Sequence, residues 1–457
     1  MEQDLTFGHP IKKILWFTIP IFIGNLFQQF YNFADTMIVG RLLGVNELAA
    51  VGATGSLMFV VLGFTQGCGA GFSIILSQYF GSKDEKKVKE GFAVSIFLSL
   101  VIAVIVTIVS FASIRPLLQF MQTPTEIMSL SYDYLSIIYL GSIAAFAFNL
   151  LSNMLRALGD SKTPLYFLIL ACILNIFLDW FLIRVIPMGV GGAAVATVIA
   201  QGAASIACII YIGQRFPLLK IKKRDFKLER SEIKKQLTLG IPMGFQYSII
   251  GLGQVALQYS LNLLGTAAVA AYTAAGKIEF FSSMSVQALG TALATFTGQN
   301  FGAGKIERIR YAFRKILWIA LGIAVFMGAI NWFLGDFLIA LFVSKSETTV
   351  INLGVQVLQA NGLSYWLLAI LFICRFTLQG LGKSVIPTVS GIMELVSRFI
   401  TAFILSKQFG FFGITLANPL AWLLAAIPLA IACYVTLRNL KPSEELSSMD
   451  YDGTLLD

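Results

Sequence analysis

The sequence predicts an all-α integral membrane protein of twelve membrane-spanning helices, arranged as two pseudo-symmetric six-helix lobes. Three observations carry this. The chain of 457 residues is 57% hydrophobic and only 12% charged, with a mean hydropathy of +0.80, about half the charge of a soluble domain. Apolar runs long enough for a ~30 Å hydrocarbon layer recur along nearly its whole length. Backbone groups in lipid must be satisfied within the segment, so these runs are helices. Finally, the second half of the chain repeats the first.

In order, the N-lobe (1–213) holds runs at roughly 14–38, 50–79, 92–114, 131–154, 164–185 and 190–213. The first contains Pro20 and Asp35 and lacks a small-residue cleavage site, so it reads as a retained helix and not a secretory leader. The fifth carries Asn175 and Asp179, and the sixth Thr197. Residues 214–236 form a basic cytoplasmic linker containing Pro217. The C-lobe (237–440) holds runs at 237–262, 267–298, 312–334, 350–378, 386–406 and 412–436, and 441–457 is a cytoplasmic tail. Lys277 and Glu279 fall in the eighth run, Arg375 in the tenth, and Glu394 and Arg398 in the eleventh. Runs longer than 25 residues tilt, or extend into water at their ends.

The net charge of +9 is a topology signal and not a nucleic-acid footprint. With the N-terminus placed in the cytoplasm, inside segments carry 25 Lys and Arg, and outer segments carry five: Arg41, Arg115, Arg184, Lys345 and Lys407. This bias fits the positive-inside rule and puts both termini in the cytoplasm. The five cysteines (68, 172, 208, 374 and 433) lie in spans without metal or redox spacing and read as packing residues.

The repeat has a near-constant offset. At 221, Gly44, Ala49, Ala50, Gly55, Gly69, Gln78, Phe80 and Gly81 meet Gly265, Ala270, Ala271, Gly276, Gly290, Gln299, Phe301 and Gly302. Ile19-Pro20 meets Ile241-Pro242 at 222; Leu155, Leu158, Gly159, Ser161 and Pro164 meet Leu378, Leu381, Gly382, Ser384 and Pro387 at 223. Gly189 and Gly192 meet Gly410 and Gly413 at 221. Six helices per copy is an even number, so both copies enter the membrane from the same side, related by an axis along its normal. Two such lobes rocking against one another suggest alternating access.

Two carboxylates in apolar runs are the main functional clue, because a charge at bilayer depth costs at least ~2.5–3.5 kcal/mol. At ~1.5 Å rise per residue, Asp179 lies about 9 Å and Thr197 about 12 Å from the outer ends of their helices, and Asp35 is near the outer end of the first. Asn175 and Asp179 are four residues apart and share a helix face. Carboxylate, amide and hydroxyl oxygens suit a hard cation such as Na⁺. Two neighbouring carboxylates suit a proton equally well. Alternative roles are interhelical hydrogen bonding for Asn175, Thr197 and Asp35. The repeat maps Asp35 near Leu257, Asn175 onto Arg398 and Asp179 onto Ala402, so the acidic cluster belongs to the N-lobe alone.

In the C-lobe, Glu394 and Arg398 have the spacing of an internal ion pair. Glu279 and Glu394 are also candidates for meeting a cationic substrate or helping a gate. Gln246, Gln254 and Gln258 of the seventh run are candidates for substrate contact or packing. No enzyme motif stands out. Gly380-Leu-Gly-Lys-Ser384 resembles the end of a phosphate-binding loop, but Thr377 occupies the required first glycine and no strand precedes it.

The stretch Gln29–Gly52 (QFYNFADTMIVGRLLGVNELAAVG) resembles the first-helix signature of MATE transporters (multidrug and toxic compound extrusion). So do Gln78-Tyr-Phe-Gly81 with Gln299-Asn-Phe-Gly302, Leu155–Pro164, Asn175–Asp179 and Gly189–Thr197. The resemblance covers about residues 10–440. It implies a V-shaped exporter in a bacterial inner membrane, driven by a Na⁺ or H⁺ gradient, exporting small-molecule drugs or toxins without a cofactor, and monomeric. It implies that Asp35, Asn175, Asp179 and Thr197 line a cation site, and that Pro20 matches a proline at which the first helix bends in archaeal relatives, a static kink being the alternative. Some relatives have an acid in the seventh helix; this chain has glutamines there. The alternative function is flipping of a lipid-linked oligosaccharide, disfavoured because such flippases tend to fourteen helices and a cationic cavity. A membrane scaffold or receptor is a third class, disfavoured by duplication with buried acids.

Overall fold

Apolar sequence and local start signals together set the helices. The computed structural model describes residues 4–221, 226–344 and 346–441, and among these there is no strand. Most of the expected tail, Lys345, and four residues of the linker (222–225) lie outside the described residues. The first half contains α1 (Pro10–Leu42), α2 (Val45–Gly81), α3 (Glu85–Phe120), α4 (Thr125–Leu140), α5 (Ser142–Ala157), α6 (Lys162–Trp180) and α7 (Val190–Arg215). The second contains α8 (Arg230–Leu263), α9 (Thr266–Gly302), α10 (Ile306–Phe333), the short α11 (Gly335–Ala340), α12 (Thr348–Gly380), α13 (Val385–Ile400), the short α14 (Ser406–Phe409) and α15 (Phe411–Thr415), and α16 (Ala417–Asn439). Pro10 starts α1 where its missing N–H costs nothing. Asp84 caps α3 by accepting from the Lys87 amide at 3.0 Å. Asp160 accepts from the Lys162 and Thr163 amides, both at 3.0 Å, at the start of α6.

Among the described residues, nine helical segments are long and apolar enough to cross a membrane, and the bent α4–α5 pair adds a tenth. The helices α8 and α9 fall short of that apolar criterion, but at 34 and 37 residues they have the length. These complete the twelve expected spans. Two boundaries differ from the sequence reading. The fourth span is broken by a 47° bend at Gly141, where α7 crosses so closely that a Cβ would lie 2.2 Å from Val198. The α8 helix begins at Arg230, seven residues inside the expected linker, because Arg230–Gln236 is a charged but helix-competent turn that hydropathy does not register.

The duplication is visible in backbone detail. Gly44 and Gly265, Gly159 and Gly382, and Gly189 and Gly410 all adopt positive φ at matching turns. Each half also has one π-helical turn, Phe181–Val185 and Thr401–Leu405.

The first helix of each half crosses into the other. The start of α1 places Ile14, Phe17 and Ile21 in the second-half core with Phe296, Ile316 and Leu371, whereas Val39 packs with Ile114, Leu118 and Tyr139 of the first half. Conversely, Leu239 and Met243 of α8 pack on Ile74 and Ile75, whereas Leu257 packs on Ala402 and Ala417. Pro20 and Pro242 lie inside these helices near the crossings. The end bearing the expected cytoplasmic loops is closed: α2 and α8 run backbone to backbone, with a Cβ on Gly71 only 2.6 Å from Gly240 Cα. Toward the other end, Gly52 and Gly55 of α2 and Gly276 of α9 face open space. The halves therefore meet at one end and part at the other.

Candidate functional site

Three helices bring the four predicted residues together. Asp35 comes from α1, Asn175 and Asp179 from α6, and Thr197 from α7. The helical spacing of Asn175 and Asp179 aims both side chains inward, and both are 0% exposed, with Asp35 at 8%. The Asn175 amide donates to Asp179 Oδ1 and to Thr197 Oγ1, both at 3.4 Å. The Asp35 and Asp179 carboxyl groups are near enough to act on each other electrostatically. The Tyr31 hydroxyl donates to Thr197 Oγ1 at 3.2 Å, and buried Tyr134 lies within the electrostatic reach of both carboxyls.

Three oxygens in this cluster have no protein partner: Asp35 Oδ1, Asn175 Oδ1 and Asp179 Oδ2. A buried polar atom left unpaired costs about 1–3 kcal/mol, more when charged. None of the salt bridges among the described residues involves either aspartate. The donor set consists of hard oxygens only, which fits Na⁺ or a proton shared between carboxyls. The α6 π-turn starts two residues after Asp179, and such turns are frequent at functional sites.

The second half holds a different constellation. Glu394 pairs with Arg375, both buried, and with Arg398 at 3.8 Å. The i,i+4 pair expected from sequence thus exists, but Arg375 of α12 is the nearer partner. Glu279 Oε2 accepts from Asn361 at 2.9 Å and Asn418 at 2.8 Å, with Arg398 acting on it electrostatically. Gln254 and Gln258 stand apart from this group and are exposed; Gln258 donates to Asn262 on its own helix at 2.8 Å. Gln246 is buried and accepts from Gln379 at 3.0 Å, a packing role. Pro20 is buried inside a continuous α1.

The sequence reading did not include Tyr31, Tyr134, Asn361 or Asn418. Two of these carried a usable signal. Tyr31 is four residues before Asp35 and so shares its face, and Asn418 is Thr197 displaced by the repeat offset of 221.

The sequence model of the MatE family matches twice, at residues 20–181 and 242–404, in agreement with the duplication. "Probable multidrug resistance protein YpnP" of Bacillus subtilis (strain 168) is 29% identical over 428 residues, covering 93% of this chain and 94% of that protein. "Multidrug export protein MepA" of Staphylococcus aureus (strain NCTC 8325 / PS 47) is 23% identical, covering 93% of each. Among solved structures, one described as the outward-facing conformation of a multidrug resistance MATE family transporter of the MOP superfamily superposes with a TM-score of 0.86 at 24% identity, over 96% of this chain and 98% of that one.

Proposed function

The chain belongs to the MatE family, and on that premise we propose that it is a multidrug efflux antiporter in which a cation entering the Asp35–Asp179 cluster drives export by alternating access. It is a multi-pass membrane protein with small-molecule drugs as cargo, in keeping with the names of its relatives. The observation that carries the coupling is the convergence of three unpartnered buried oxygens, on Asp35, Asn175 and Asp179, in the first half.

The basic end of the bundle faces the cytoplasm of a bacterial inner membrane, so the parted end faces outward. From that side Na⁺ or H⁺ reaches the cluster. Asp35 and Asp179 supply the negative charge, Asn175 and Thr197 supply neutral oxygens, and Tyr31 and Tyr134 pack around them. Binding removes the unpaired-oxygen penalty, and this differential affinity between the outward and inward states is what can shift the conformational equilibrium. The paired acids Asp35 and Asp179, with no basic partner beside them among the described residues, also favour amphipathic cationic cargo over anionic cargo.

The test is dye efflux from proteoliposomes under an imposed Na⁺ gradient, an imposed pH gradient, or neither. Efflux driven by one of the two gradients and absent without them is the expected result. Efflux of equal rate in all three conditions rejects the antiport reading. Movement of a lipid-linked saccharide, with no gradient-driven dye transport, replaces it with flipping.

A further inference from the structure

Resting on the alternating-access reading above, we propose that the twin motifs Gln78-Tyr-Phe-Gly81 and Gln299-Asn-Phe-Gly302 form a reciprocal clasp that is the inner gate, locked on one side by the N-terminal strap Leu5–Phe7. Gln78 Nε2 donates to the carbonyl of Gly380 at 3.0 Å, and Gln299 Nε2 donates to the carbonyl of Ala157 at 2.8 Å. Gly380 is the last residue of α12, and Ala157 the last of α5. Carbonyls at helix C-termini lack an intrahelical partner. Each glutamine therefore caps a helix end in the opposite half.

Such bonds suit a gate. Water at the membrane face replaces a carboxamide on a carbonyl with small net loss, so the contact can break and reform. The backbones also touch. A Cβ on Gly81 would lie 1.9 Å from the Gln299 carbonyl oxygen, and one on Gly302 would lie 1.8 Å from that of Gln78. Any side chain there pushes the halves apart.

The two sides of the clasp are unequal. Leu5 N donates to Gln299 Oε1 at 2.9 Å, so both ends of that carboxamide are used. Asn300 donates to Leu5 O at 3.2 Å, and Lys305 donates to Thr6 O at 3.0 Å. Leu5 is buried in the second-half core. The Phe7 ring sits between Lys83 of the first half at 5.0 Å and Lys305 of the second at 3.8 Å. Gln78, by contrast, borders a cavity of about 300 Å³ with Ser231, Lys234 and Thr238. Among the described residues, the polar contacts joining the halves gather at this end; Ser248 to Val60 O at 2.8 Å lies furthest from it.

The test uses spin labels on cysteines introduced at Ser82 and Lys383, exposed positions in opposite halves at this end; all five native cysteines are buried. Distance distributions are recorded in lipid, with Na⁺ and pH varied. In wild type, a short-distance population dominates and a longer one grows with conditions. Gly302→Ala and Gln299→Ala raise the long-to-short ratio about tenfold, or about 1.4 kcal/mol, and Gln78→Ala raises it less, about threefold. Should Gly302→Ala fail to fold, the two glutamine variants decide. A wild type that interconverts, with folded Gln299→Ala and Gln78→Ala distributions identical to it, overturns the clasp while leaving antiport intact. A wild type locked at one distance under every condition overturns the gate together with the rocking motion assumed above.

Discussion

The two halves share a fold but treat buried charge in opposite ways. In the second half, Glu394 is matched by Arg375 and Arg398, and Asn361 and Asn418 donate their amides to Glu279 Oε2. In the first half, Asp35 and Asp179 face each other without a basic partner, and three oxygens are left over. The contrast sits at equivalent places. Arg398 stands where the first half has Asn175, Asn418 where it has Thr197, and Ala402 where it has Asp179. One copy carries its counter-charges as side chains. On the proposed function, the other leaves them to be supplied from solution, and only a charge from solution can carry a gradient.

Four substitutions test that division, from the largest expected effect to the smallest. Arg375→Met leaves the buried Glu394 carboxylate only its more distant partner, Arg398 at 3.8 Å, and should destabilise the protein by about 3 kcal/mol, the low end for breaking a buried pair, read as a lower midpoint in thermal size-exclusion assays. If stability is unchanged and only coupling is lost, the second half is itself a transport site and the contrast fails. Asp35→Asn should fold normally yet lower gradient-driven efflux about a hundredfold, about 2.8 kcal/mol at tenfold per 1.4 kcal/mol. Full gradient-driven efflux by that variant removes Asp35 from the cation site. Tyr31→Phe loses one hydroxyl bond to Thr197 and should weaken the apparent affinity for the driving cation by about 2–10-fold, the usual net worth of one hydrogen bond. Gln258→Ala removes an exposed side chain bonded only within its helix and should stay within about 0.5 kcal/mol of wild-type stability. A narrowed set of exported dyes, with the driving cation unchanged, would place it in the cargo path.

The sequence made the helices legible because lipid permits few alternatives, and it made the duplication legible because turn glycines recur at fixed offsets. Asp35, Asn175, Asp179 and Thr197 could be grouped because buried polar residues are rare enough for depth and helix face to select them. Tertiary pairing was less visible. Arg375 and Glu394 meet across two helices 19 residues apart in sequence, and local spacing pointed instead to Arg398. Glu279 finds its amides on α12 and α16, which no periodicity indicates. The bend at Gly141 depends on the approach of Val198 from another helix, and the docking of Leu5 depends on a groove built by α9 and α10.

Gly81 meeting Gln299 while Gly302 meets Gln78 has a historical consequence. Each residue touches the duplicate of its own near neighbour, which is the pattern of an isologous dimer interface folded into one chain. A change in either copy disturbs both contacts, so these positions resist divergence after duplication. The acids at Asp35 and Asp179 touch no copy of themselves, and they were free to become the property of one half.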